Sequence, residues 1–166
     1  MLGSSLCRLY NDEHDVHAFH RDEECYATCA ADYSLDLMVV SRLKVLFSKV
    51  KPDLVIHCAG LTSVDLCEQE PELAYKKNVI VCENIVSACS NKTKLVYIST
   101  DQVYGEARDH SEANKMLQPL NQYGKTKLLG EQKIQKLYNN YLILRTNIFG
   151  WNIKPGRVSS AEWIYN

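Results

Sequence analysis

The chain has 166 residues, 46% of them hydrophobic, enough for one core-bearing domain of ordinary size and too few for two large ones. Its 19 Lys and Arg residues are offset by 20 Asp and Glu, and the formal charge of -1 excludes an overall field that would draw nucleic acid or an anionic membrane. An odd count of seven cysteines, with Cys58, Cys82 and Cys89 inside apolar patterns, reads as buried thiols in a reducing compartment. With neither an apolar leader nor a run near the ~18 residues of a membrane span, the expectation is a cytoplasmic protein. Cys25 and Cys29 are closely spaced but have no second Cys/His pair, so they read as two free thiols in a loop and no metal is expected.

Leu2, Leu6 and Leu9 share one face of an opening helix, and residues 15–19 read as a short strand. Residues 33–37 form a second candidate strand. A helix with Val39, Leu43, Leu46 and Val50 on its apolar face follows and is ended by Pro52. The nearly continuous apolar run 53–58 has the pattern of a strand covered on both faces. A long helix over 71–90 begins with proline in its first turn and buries Ala74, Val81, Cys82, Ile85 and Cys89. Residues 94–99 are the next strand, 121–138 the next helix and 141–145 the last strand. This alternation predicts an α/β fold, a doubly wound parallel sheet with helices on both faces, because parallel neighbours need helical crossovers. Ligands of such sheets lie beyond the carboxyl ends of the strands, where Cys58-Ala59-Gly60, Ser99-Thr100 and Thr146-Asn147 fall.

Tyr123 and Lys127 are four residues apart and share a helical face. Taken alone, the pair reads as a solvated face. One loop upstream, however, the apolar strand exits into Ser99-Thr100-Asp101-Gln102-Val103-Tyr104-Gly105, which places hydroxyls at a strand end. If the two segments converge, Lys127 is expected to lower the phenol pKa of Tyr123 and make it a usable general acid. Thr100 would then donate to a carbonyl oxygen on which negative charge builds.

The pieces PDLVIHCAGLTSVD, EPELAYKKNV, KLVYISTDQVYG, PLNQYGKTKLLGE and LILRTNIFG run in order over residues 53–150. Together they resemble the extended short-chain dehydrogenase/reductases, most closely the dTDP-4-dehydrorhamnose reductases. The resemblance implies a Rossmann-like fold and reduction of a 4-keto group on a nucleotide-activated deoxysugar. In it Thr100 is the hydroxyl donor, Tyr123 the proton donor and Lys127 their partner, with NADP as cofactor and NAD as the alternative. Implied cofactor contacts are Gly3, Arg21, Asp36, Leu37, Cys58, Ala59, Gly60, Thr62, Ser99, Tyr123, Lys127, Thr146 and Asn147, while Asn78 matches a supporting helix asparagine. Arg21 follows the first strand where an acidic residue would suit a ribose hydroxyl and an arginine a 2′-phosphate, which favours NADP.

Compared with this family, Met1-Leu2-Gly3-Ser4 resembles the tail of a glycine-rich turn, with Gly3 in the place of its last glycine. The expectation is an NAD(P)-binding domain over 1–150 with an incomplete start, and over 151–166 the beginning of a shortened substrate region. The chain then reads as a fragment of a longer protein. The expected partner is a nucleotide-sugar substrate, with neither nucleic acid nor membrane, and a homodimer is the self-association left open. The alternative functions are a sugar-nucleotide epimerase or dehydratase, and a non-catalytic nucleotide-binding regulatory subunit of the same fold.

Overall fold

A computed structural model describes residues 2–21, 29–106 and 117–149. The chain divides into two compact units, one made of residues 1–36 with 147–166 and the other of 37–146. The predicted region 151–166 and Cys25 lie outside the described residues.

In the first unit, helix α1 (Leu2–Tyr10) precedes two short parallel strands, β1 (His17–His20) and β2 (Ala31–Ser34). The register pairs His17 with Ala31 and His20 with Ser34. The sequence pattern placed the first strand about two residues too early and the second about two too late. Strand ends depend on where a partner stops offering hydrogen bonds, which local hydropathy does not encode. Side chains support the pair, with Phe19 and Tyr33 rings stacked at 5.2 Å and His20 Nε2 2.7 Å from the Asp32 carboxylate.

The second unit carries a three-stranded parallel sheet in the order β3 (Leu54–His57), β4 (Lys94–Ser99), β5 (Tyr141–Arg145). His57 lies beside Tyr97 and Ser99 beside Arg145, so the strands leave the sheet at a common carboxyl end. Helix α2 (Val40–Val50) stops at Lys51, whose left-handed backbone (φ 52°) lets its amide close on the Phe47 carbonyl just before Pro52. Central strand β4 buries Leu95, Tyr97 and Ser99 on one face, the period of two expected of a pleated strand.

The predicted helix 71–90 is an interrupted one. Helix α4 (Pro71–Tyr75) passes into a π-helical turn, Lys76–Ile80, and continues as α5 (Val81–Ala88). Such a turn inserts an extra residue into the helical ladder and is frequent at functional sites. A short α3 (Val64–Gln69), capped by the Ser63 hydroxyl on the Leu66 amide, escaped the sequence reading. It is separated from α4 at Glu70, which the following proline holds out of helical geometry (φ −127°, ψ 69°).

Helix α6 (Gln122–Leu137) packs on the π turn and α5 through Gly130. A Cβ there would stand 2.7 Å from the Asn78 carbonyl oxygen, 2.8 Å from the Tyr97 hydroxyl and 3.2 Å from the Cys82 sulfur. Gly130→Ala is therefore expected to cost ~1–3 kcal/mol, because a backbone atom must move to admit the methyl. The midpoint of urea unfolding measures it, and an unchanged midpoint would show that the helices separate freely.

Candidate active site

Helix α6 begins under tight control. The Asn121 side chain accepts from the Gly124 amide at 2.7 Å and donates to Gln102 Oε1 at 2.8 Å, while Glu68 on α3 accepts from the Gln122 amide at 2.6 Å. The contacts to the Gly124 and Gln122 amides satisfy donors that a helix start leaves without intrahelical partners, the Gln102 contact holds the cap in place, and together they fix the direction in which Tyr123 enters. Thr126, Lys127, Gly130, Glu131 and Ile134 then form the buried face of the helix. The solvated-face reading of the Tyr123/Lys127 pair is thereby excluded, since Lys127 is 5% exposed.

Thr100 is the first residue beyond β4 and caps a 3₁₀ turn, Asp101–Tyr104, its hydroxyl accepting from the Gln102 amide at 3.3 Å. The same hydroxyl donates to Asp101 Oδ1 at 3.1 Å and lies near enough to the Tyr123 phenol to act on its pKa. The two segments singled out from sequence therefore meet, joined by the Asn121–Gln102 hydrogen bond. Burial raises the Tyr123 pKa above its ordinary value of 10, the Thr100 hydroxyl pulls it back, and Cys67 and Asp101 push it further up. This corrects the expected direction, which was downward through Lys127. The Lys127 ammonium donates instead to the Ile98 carbonyl at 2.6 Å and sits 4.1 Å over the Tyr97 ring. Burial brings its own pKa down to about 8, with Cys82, Glu131 and Cys58 holding the proton on.

Asn78 occupies the π turn and is 2% exposed. Its amide nitrogen donates to the Leu61 carbonyl at 3.1 Å and to the Thr126 hydroxyl at 3.0 Å, and its oxygen accepts from the Leu61 amide at 2.8 Å. It thus clamps the loop beyond β3 to the helix residue preceding Lys127. Gly60 in that loop faces Asn78, and a Cβ would lie 2.9 Å from the Asn78 oxygen. Cys58 is half-buried, while Ala59, Gly60 and Thr62 are exposed.

The other predicted contacts are placed as follows. Leu37 anchors its carbonyl on the Asn84 amide at 3.0 Å, and Thr146 is the first residue past β5. Ser99 turns its hydroxyl to the Glu131 carboxylate, so only its backbone faces the strand end. Arg21, exposed, follows β1 directly; Gly3 lies in α1, and Asp36 and Asn147 are exposed, all four in the first unit. Among the described residues no cluster of three metal-ligating side chains occurs, and Cys29 is half-buried.

Two charged residues in this region were not foreseen. Glu131, 1% exposed, receives Arg145 through Nε at 3.1 and 3.2 Å and through Nη2 at 2.7 Å. The signal was present, because Glu131 follows Lys127 by one helical turn on the same face and Arg145 ends an otherwise apolar strand.

The chain is 33% identical over 133 residues to methionine adenosyltransferase 2 subunit beta of Xenopus laevis, covering 80% of the chain and 40% of that protein. A crystal structure described as a hypothetical dTDP-4-dehydrorhamnose reductase from Sulfolobus tokodaii aligns with a TM-score of 0.76 at 38% identity, over 87% of this chain and 51% of that one. The dTDP-4-dehydrorhamnose reductase of Bacillus anthracis, solved in complex with NADP, aligns with a TM-score of 0.64 at 35% identity, over 74% of this chain and 46% of that one. The chain thus spans about half the length, or less, of these relatives. Residues 1–152 match the family model described as the RmlD substrate binding domain. With parallel strands, helical crossovers and a match over nearly its whole length, the chain belongs to the RmlD substrate binding domain family.

Proposed function

We propose that the protein reduces the 4-keto group of a nucleotide-activated deoxysugar, with NADPH as the hydride source. The observation that carries this reading is the convergence of the Thr100 turn at the carboxyl end of β4 with the start of α6, joined by the Asn121–Gln102 hydrogen bond, which brings the Thr100 and Tyr123 hydroxyls together with a buried lysine one turn further along α6. A carbonyl oxygen next to these hydroxyls would accept two hydrogen bonds as charge develops on it. Because its pKa lies above 10, Tyr123 is protonated at neutral pH and is set to give a proton, as reduction requires. Lys127, protonated below about 8, has further donors for a ribose hydroxyl beside the one it gives to the Ile98 carbonyl.

The loop beyond β3 suits a dinucleotide, since small, exposed Ala59 and Gly60 leave the backbone open and a Cβ at Gly60 would press on the Asn78 oxygen. Bound there, the nicotinamide would supply hydride, and the chain's own groups would supply orientation and the proton. NADP over NAD is favoured by the exposed Arg21 past β1 and by the Bacillus anthracis relative, which was solved with NADP. The buried, free Cys67 and Cys82 favour a reducing compartment, the cytoplasm, and among the described residues no helix is long and apolar enough to cross a membrane.

Consumption of NADPH at 340 nm on adding a dTDP-linked 4-keto-6-deoxysugar tests the proposal, and absence of turnover with nucleotide-linked 4-keto sugars would refute it. The rate is expected to fall as pH rises through about 8, where Lys127 loses its proton. A profile of kcat flat from pH 7 to ~9.5 would remove Lys127 from the chemistry.

The similarity to a methionine adenosyltransferase subunit favours a second reading, a nucleotide-binding regulatory subunit. A protein that binds NADPH, turns over no keto sugar and copurifies with another enzyme would establish it.

A further inference from the structure

Glu131 takes no part in the proposed chemistry, yet it is fully buried and charged, and its contacts converge on the turn that carries Thr100. Its carboxylate accepts from Ser99 Oγ at the end of β4 and from Arg145 at the end of β5. Arg145 in turn donates from Nη1 to the Tyr104 hydroxyl at 3.2 Å and stacks 5.1 Å over its ring. Thr100 stands between Ser99 and the 3₁₀ turn that ends at Tyr104, so the chain on both sides of it is tied to one carboxylate. That carboxylate belongs to the helix that bears Tyr123 two turns earlier and Lys127 one turn earlier.

A buried ion pair is a poor source of stability, because desolvation consumes most of the attraction and apolar replacements are often neutral or better. What the pair supplies here is geometry. We propose that Glu131 and Arg145 are positioning residues, which hold the Thr100 hydroxyl in register with the Tyr123 phenol by locking the end of β4 and the following turn onto α6. The inference deepens the reductase reading and rests on it for its kinetic consequence, but the register itself is measurable without turnover. The negative charge of Glu131 also helps Lys127 to keep its proton against burial.

The test uses the full chain labelled with ¹³Cζ-tyrosine, the Tyr123 resonance being assigned by its loss in Tyr123→Phe. Thr100→Val defines the chemical-shift change at Tyr123 that follows loss of the Thr100 hydroxyl. The paired change Glu131→Leu with Arg145→Met is expected to melt within a few degrees of the parent and to move the Tyr123 resonance in the direction set by Thr100→Val. It should lower kcat ~10- to 100-fold, with the KM for NADPH changed less than about threefold. Glu131→Gln, which keeps the shape and an acceptor for Ser99, should show the same pattern more weakly and serves if the paired variant does not fold. A folded variant whose Tyr123 resonance stays put would overturn the proposal, as would a drop in melting temperature with the resonance unmoved. If the parent protein shows no reductase activity, the resonance still decides the positioning role, so the two readings fail separately.

Discussion

Changing Tyr123 to phenylalanine is expected to lower kcat for reduction of a nucleotide-linked 4-keto sugar by roughly 10²- to 10⁴-fold, the range general acid catalysis supplies. The change removes one oxygen from a half-buried side chain whose helix start is held by Asn121, Glu68 and Gln102, none of which touches the phenol through the contacts described. The fold and the loop beyond β3 should therefore persist, and NADPH should still quench protein fluorescence with an affinity near that of the parent. Thr100 keeps its bonds to Asp101 and to the Gln102 amide, so the loss isolates the proton. Turnover within threefold of the parent would mean that water or another group delivers the proton and that Tyr123 has been misassigned. Loss of both turnover and NADPH binding would point instead to a damaged fold.

Acid should weaken the second unit well before its carboxylates as a class are neutralised. His57, at the end of β3, is 3% exposed, with its ring 5.3 Å from that of Tyr97 and its Nε2 3.5 Å from the Cys82 sulfur. Burial and, secondarily, the Lys127 charge lower its pKa from 6.5 to about 3. Between these values the unfolded chain takes up a proton that the folded one refuses. Stability contributed by the neutral imidazole is therefore intact above about pH 6.5 and declines as pH falls towards about 3, by an amount on the order of 5 kcal/mol over the whole window. Urea midpoints measured from pH 7 to pH 4 should fall steeply for the parent and less steeply for His57→Phe, which keeps a planar ring beside Tyr97 and cannot titrate. Parallel curves for the two proteins would show that His57 is either solvated or charged in the folded state.

The convergence of the Thr100 turn with the helix start that bears Tyr123 explains why the site reads partly from sequence. Each residue lies in a segment of strong local character, a hydroxyl-rich exit from an apolar strand and the first turn of a long helix. The parallel crossover that joins β4 to β5 brings those segments to one end of the sheet. The direction of the Tyr123 shift was not legible in the same way. Spacing of four residues places Lys127 on the same face as Tyr123, but whether an ammonium points along the helix or across to a strand carbonyl depends on what β4 offers, and the Ile98 carbonyl took it.

Asn78 and Glu131 make the same distinction more sharply. A polar residue in an apolar helical pattern is ambiguous until a neighbour supplies its partners, and those partners, Leu61, Thr126, Ser99 and Arg145, come from positions 14 to 48 residues away along the chain in other elements or loops. The π turn at Lys76–Ile80 is likewise a tertiary outcome, since the segment has helical periodicity on either side and only its packing on α6 accounts for the inward Asn78. Periodicity, proline placement and turn residues are local, and they were enough for the strand and helix alternation, for the boundaries of β4 and β5, and for the segments that bear Thr100, Tyr123 and Lys127. Which protons those residues hold, which of them are clamped, and that a buried ion pair braces the turn between them arose only when elements distant in sequence came into contact. Desolvation and side-chain hydrogen bonding belong to that contact and have no counterpart along the chain.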